Sequence, residues 1–112
     1  MSVEIEFLYF EGCLGRRKAR PLLEEVLAEE GIIAPVREIR IEDHDDAVAH
    51  RFQGSPTIRI DGRDIVEQAD ADYDLRCRVY WVNGRPQDFP SKEMIRAAVS
   101  AARAGSEAPR GW

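Results

Sequence analysis

Apolar side chains stand on both faces of the run from Val3 to Phe10: Val3, Ile5 and Phe7 on one, Leu8 and Phe10 on the other. A strand of that kind has no face to give to water, so other layers must cover it on both sides. Glu11-Gly12 breaks the strand, and a helical stripe of Ala19, Leu22, Leu23, Val26 and Leu27 follows until Gly31 supplies a stop. A doubly covered strand leading into an amphipathic helix points to an α/β fold. Pro21 interrupts the helix; it removes one backbone bond and predicts a kink, at about 3 kcal/mol if nothing compensates.

Pro35 opens a second extended segment, Val36 to Ile41, with Arg37, Ile39 and Ile41 alternating with Glu38 and Arg40. Asp43 reads as the N-cap of a short helix that has Asp46 in its first turn and runs to about Phe52. Gln53-Gly54-Ser55-Pro56 breaks it, and Thr57 to Ile60 is a third strand closed by the turn dipeptide Asp61-Gly62. Glu67 to Asp74 is a polar, acidic loop. Cys77 to Val82 resumes strand character and closes on Asn83-Gly84. Ser91 caps a last helix with Met94, Ile95, Ala98, Val99 and Ala102 on its apolar stripe, ending near Gly105. The expected order is β-α-β-α-β-β-α, a mixed central sheet with helices on both faces. The first strands are expected to be parallel and the last pair antiparallel. Residues 1–105 form one domain, and residues 106–112 are expected to be a flexible tail.

A net charge of −5 argues against a nucleic-acid partner, since affinity for phosphate backbones comes from clustered basic residues. No apolar run is long enough to cross a membrane and no signal segment opens the chain, so a cytoplasmic, membrane-free protein is expected. His44 and His50 are not spaced as zinc ligands, and no cofactor-binding loop is present. Asp70, Asp72 and Asp74 read as part of a solvated loop with, at most, a loose hold on a cation.

Two cysteines are too few for a disulfide scaffold, which leaves catalytic, metal-binding or structural roles. Cys13 stands where the first helix begins. There the unpaired N–H groups, the macrodipole and the basic run Arg16, Arg17, Lys18 and Arg20 would stabilise a thiolate and lower its pKa. On position alone, a cysteine packed as a small apolar residue fits equally well.

The motifs around Cys13 resemble the thioredoxin superfamily. Leu8-Tyr9-Phe10 leads to a cysteine at a helix start, with Pro21 further along that helix. Phe52-Gln53-Gly54-Ser55-Pro56-Thr57 is similar to the segment in which glycine, a variable residue, a cis-proline and threonine enter the third strand. The resemblance implies a thioredoxin-like fold with Cys13 as the reactive thiol. It implies that the Ser55 backbone N–H and C=O pair with an extended thiol-bearing partner, and that Ser55, Pro56 and Thr57 form the substrate-binding loop. Arg16 replaces the resolving cysteine of a Cys-x-x-Cys motif, so it would act by charge, and a dithiol mechanism would need Cys77. If Arg63 to Val66 runs back along the third strand, Cys77 comes within reach of Cys13; if Cys77 to Val82 is itself the fourth strand, it lies far away.

Gly12-Cys13, Gly54-Ser55-Pro56-Thr57, Asp61-Gly62-Arg63-Asp64 and Cys77-Arg78-Val79-Tyr80 are also similar to small bacterial thioredoxin-like proteins, sometimes labelled alkylmercury lyase-like. Three functions follow as expectations. One is thiol–disulfide exchange by Cys13 with a thiol- or disulfide-bearing protein or small thiol, with Cys77 or an external thiol resolving. The others are binding of a thiophilic ion such as mercury or copper by Cys13 and Cys77, and a non-catalytic interaction module.

Overall fold

A computed structural model describes residues 3–67 and 72–107. The elements run β1 (Ile5–Tyr9), α1 (Gly15–Glu29), β2 (Val36–Arg40), α2 (His44–Ala49), β3 (Thr57–Ile60), β4 (Arg63–Asp64), β5 (Tyr80–Val82), β6 (Arg85–Gln87) and α3 (Lys92–Glu107). The protein is thus a mixed α/β fold with three helices. β2, β1, β3 and β4 form a four-stranded sheet in that order, and β5 and β6 form a separate hairpin.

β1 and β2 are parallel, as their helical crossover requires. β3 runs antiparallel to β1, with Phe7 opposite Ile58 and Ile5 opposite Ile60. This corrects the expectation that the second crossover also gives a parallel neighbour: β2 ends at Arg40 opposite Tyr9 and β3 begins at Thr57 opposite Leu8, at the same end of β1, so the chain never crosses back and β3 must run the other way. β4 returns antiparallel along β3. The strand expected from Cys77 to Val82 is shorter, β5 beginning at Tyr80, and it pairs with β6 outside the main sheet. Both reversals, Asp61-Gly62 and Asn83-Gly84, hold both residues at positive φ, the backbone that a two-residue hairpin turn demands.

The alternation in β1 divides the interior in two. Ile5 and Phe7 pack with Ala19, Leu23, Val26 and Leu27 of α1 and with Ile95 and Val99 of α3. Leu8 packs on the opposite face with Ile41, Ala47 of α2 and Phe52. α1 therefore shares one side of the sheet with α3, and α2 covers the other. α1 continues through Pro21. Asp43 caps α2 by accepting the Asp46 N–H, and the Ser91 hydroxyl accepts the Met94 N–H at the head of α3. α3 extends to Glu107, two residues beyond the expected stop at Gly105. Of the expected tail, residues 108–112 lie outside the described residues. Among the described residues no helix is long and apolar enough to cross a membrane.

Candidate functional site

Cys13 follows a tight turn in which its N–H donates to the Phe10 carbonyl at 3.2 Å. Leu14 is the N-cap and Gly15 the first helical residue, so Cys13 precedes α1 and does not lie within its first turn. The residue is 1% exposed. Its thiol donates to the Ser55 carbonyl at 3.2 Å. Ser55 itself is fully buried, and its hydroxyl accepts the Phe10 N–H at 3.3 Å, tying the end of β1 to the loop before β3. The Ser55–Pro56 peptide bond is cis.

The backbone edge of Ser55 is already occupied. Its N–H donates to the Arg76 carbonyl at 2.8 Å and its carbonyl accepts the Arg78 N–H at 2.9 Å, an isolated parallel bridge between Ser55 and Cys77. The chain's own segment 76–78 thus fills the edge that the resemblance implies for a partner. Cys77 sits in the middle of that segment, exposed and unbridged, as Cys13 is unbridged. Its thiol is held above the ordinary range first by partial burial of the sulfur, then by the charge of Cys13 and a hydrogen bond with it, and last by the charge of Asp88. Both cysteines therefore converge on Ser55, the Cys13 sulfur on its carbonyl and Cys77 across the bridge from it. Arg63–Asp64 turning back along β3 is the arrangement in which the sequence allows this meeting.

Arg78 fixes the segment. The residue is 2% exposed and its guanidinium donates to Asp64 at 2.7 Å, to the Thr57 hydroxyl at 3.2 Å and to the Val66 carbonyl. It also lies 4.9 Å from the centre of the Tyr80 ring. A buried cation persists only with such partners. Tyr80 donates its buried hydroxyl to the Pro56 carbonyl at 2.6 Å. Burial pushes that phenol far above its usual range, Arg78 opposing and the charges of Asp64 and Cys13 adding. Thr57 is also fully buried and donates to the Gly54 carbonyl at 2.6 Å. Pro56 and Thr57 are thereby committed to holding β3 and the 76–80 segment together. Asp74 adds an anchor, its N–H donating to the Phe52 carbonyl at 3.1 Å.

Two glycines permit these approaches. Gly54 has a φ of +136°, and a Cβ there would lie 3.0–3.3 Å from Cβ, Cα and N of Arg78. A Cβ on Gly15 would lie 2.0 Å from the Asp88 carbonyl oxygen, so the bare first residue of α1 is what lets the β6–α3 loop close over the helix start.

The basic run at the head of α1 is largely engaged elsewhere. Arg16 pairs with Glu11 at 3.2 Å and stacks 5.0 Å from the Tyr9 ring centre. Lys18 pairs with Asp88, and Arg20 with Glu24. Their charges are partnered by carboxylates. Exposed His44 faces Asp74, whose carboxyl is held below the usual range first by the Leu75 N–H and then by His44. That ties Asp74 to local structure; Asp70 lies outside the described residues. Among the described residues no group of three or more acidic, histidine or cysteine side chains has the arrangement of a metal site.

Sequence reasoning missed Arg78, Asp64, Tyr80, Gly15 and Asp88. The signal for Arg78 and Tyr80 lay in the alternation Cys77-Arg78-Val79-Tyr80-Trp81. Arg78 and Tyr80 point inward, while Cys77, Val79 and Trp81 are exposed. No family model matches this chain, and no curated protein matches it.

Proposed function

We propose that this chain is a thiol-based redox protein of thioredoxin-like fold, in which Cys13 and Cys77 pass between dithiol and disulfide in exchange with a thiol- or disulfide-bearing partner. The observation that carries the reading is the convergence on Ser55 of two unbridged thiol residues from distant parts of the chain, the Cys13 sulfur on its carbonyl beside the cis-prolyl bond and Cys77 across the bridge from it. Exchange requires a thiolate to reach a disulfide sulfur, and two neighbouring sulfurs on separate anchored segments can close a bond with little backbone travel. The parallel β1–β2 pair, the antiparallel β3 and β4, and helices on both faces support the thioredoxin-like reading. It accords with a cytoplasmic setting, where thiols are kept reduced.

The test is titration of the protein's free thiols after equilibration with oxidised and reduced glutathione. The expected result is loss of both thiols together in the wild-type protein, restored by dithiothreitol, with no internal bridge in Cys13→Ser or Cys77→Ser. Two thiols that stay free in oxidising buffer would remove the reading and leave a non-catalytic interaction module. The same neighbouring sulfurs favour a second reading, a two-coordinate site for mercury or copper(I). It is distinguished by tight binding of Hg²⁺ that either substitution abolishes, in a protein that performs no exchange.

A further inference from the structure

On the basis of the exchange reading above, we infer that the covalent intermediate with an external disulfide forms on Cys77, and that Cys13 is the resolving thiol. This reverses the order the sequence suggests. An incoming disulfide must present its S–S axis to the attacking sulfur. Cys13 is 1% exposed and its thiol is turned to the Ser55 carbonyl, whereas Cys77 is exposed.

Approach to the Cys13 sulfur from the Ser55 side, where its thiol points, would mean stripping segment 76–78 from Ser55. That removes two backbone hydrogen bonds, takes Arg78 away from Asp64, Thr57 and Val66, and strains the Tyr80 bond to Pro56. A partner that reacts at Cys77 breaks none of these. Alternation along the segment adds a recognition surface, since Val79 and Trp81, 49% and 66% exposed, stand on the same side as Cys77.

The sequence of bonds balances. The Cys77 thiolate attacks one sulfur of the disulfide RSSR, forming Cys77–S–S–R and releasing RS⁻. Cys13 gives its proton to solvent, and its thiolate attacks the Cys77 sulfur, forming the Cys13–Cys77 disulfide and expelling the second RS⁻. Two protein thiols lose two electrons and the external disulfide gains them. In the reverse direction an external thiolate attacks the Cys77 sulfur and Cys13 is the leaving group.

The experiment uses the full-length reduced protein with glutathione disulfide, acid-quenched at intervals and read by intact mass and peptide mapping. Cys13→Ser is expected to accumulate a single glutathione adduct on Cys77. Cys77→Ser is expected to form its adduct on Cys13 more than an order of magnitude more slowly. In the wild-type protein, brief iodoacetamide treatment should label Cys77 first, a check that needs no substitution. Equal or faster reaction at Cys13 in Cys77→Ser, or first labelling at Cys13, overturns the inference while leaving the exchange reading intact. Failure of both variants to form any adduct, when the urea-unfolded variants do, sinks both readings.

Discussion

Ser55 and Cys77 are bonded partners across a parallel bridge, the Ser55 N–H and carbonyl engaging the residues on either side of Cys77 at 2.8 and 2.9 Å. The loop that carries the cis-prolyl bond thereby holds the second cysteine of the chain across from the residue whose carbonyl takes the thiol of the first. The strength of that hold rests on side chains the two residues do not themselves supply.

Arg78 is the main fastener. Arg78→Met keeps the apolar stem and deletes the charge, leaving Asp64 largely buried without its partner. Removing one member of a buried pair typically costs about 3–5 kcal/mol. The expected outcome in urea denaturation is a loss toward the lower end of that range. Alkylation of Cys13 should accelerate at the same time, because the segment bonded to its acceptor Ser55 is loosened.

Tyr80→Phe removes one hydroxyl and leaves the Pro56 carbonyl without that donor. The expected cost is about 1–2 kcal/mol. The folded protein keeps the Tyr80 proton at pH values where the unfolded chain has released it, near pH ~10. The folded state therefore binds more protons there, and the stability due to Tyr80 falls as pH rises beyond that value. Urea midpoints measured at pH 8 and pH 11 should converge for wild type and Tyr80→Phe as the pH is raised.

Gly15→Ala drives a methyl group to 2.0 Å from the Asp88 carbonyl oxygen. The loop has to move, at about 2 kcal/mol or more. Gly54→Ala meets both a positive φ and the Arg78 backbone, with a similar expected loss. Thermal unfolding should rank both well below an alanine placed at exposed Gly31, where a Cβ meets nothing within 4 Å, although its φ of +69° carries some strain.

The Cys77 thiol is held above the ordinary cysteine value of about 8.5. Its alkylation rate should rise with pH to a midpoint above that value. Cys13→Ser, which removes the neighbouring charge, should shift the midpoint down, and Asp88→Asn should shift it by a smaller step in the same direction. Because folding raises this pKa, the thiol's contribution to stability is fully present below about 8.5 and is lost as pH rises through the folded value. A midpoint unchanged by Cys13→Ser would mean that the two thiols do not interact.

Much of the architecture was legible in local pattern. The two apolar faces of Val3–Phe10 set a strand between two layers, the stripe from Ala19 to Leu27 set α1, and Asp43 and Ser91 marked two helix starts. Each depends on residues a few positions apart, whose spacing alone decides which face they share. Position 13 was also legible as the place where chemistry would be sought.

What the tertiary structure decided were the relations between segments far apart in the chain. The antiparallel course of β3, the burial of Cys13, the seating of Cys77 opposite Ser55 and the pairing of Arg78 with Asp64 all depend on how the chain returns after Asp61-Gly62. An arginine in an alternating strand reads locally as a solvated charge, and only the arrival of Asp64, Thr57 and the Val66 carbonyl around it makes its burial affordable. Long-range contacts obey the shape of the packed interior, and no periodicity along the sequence records that shape.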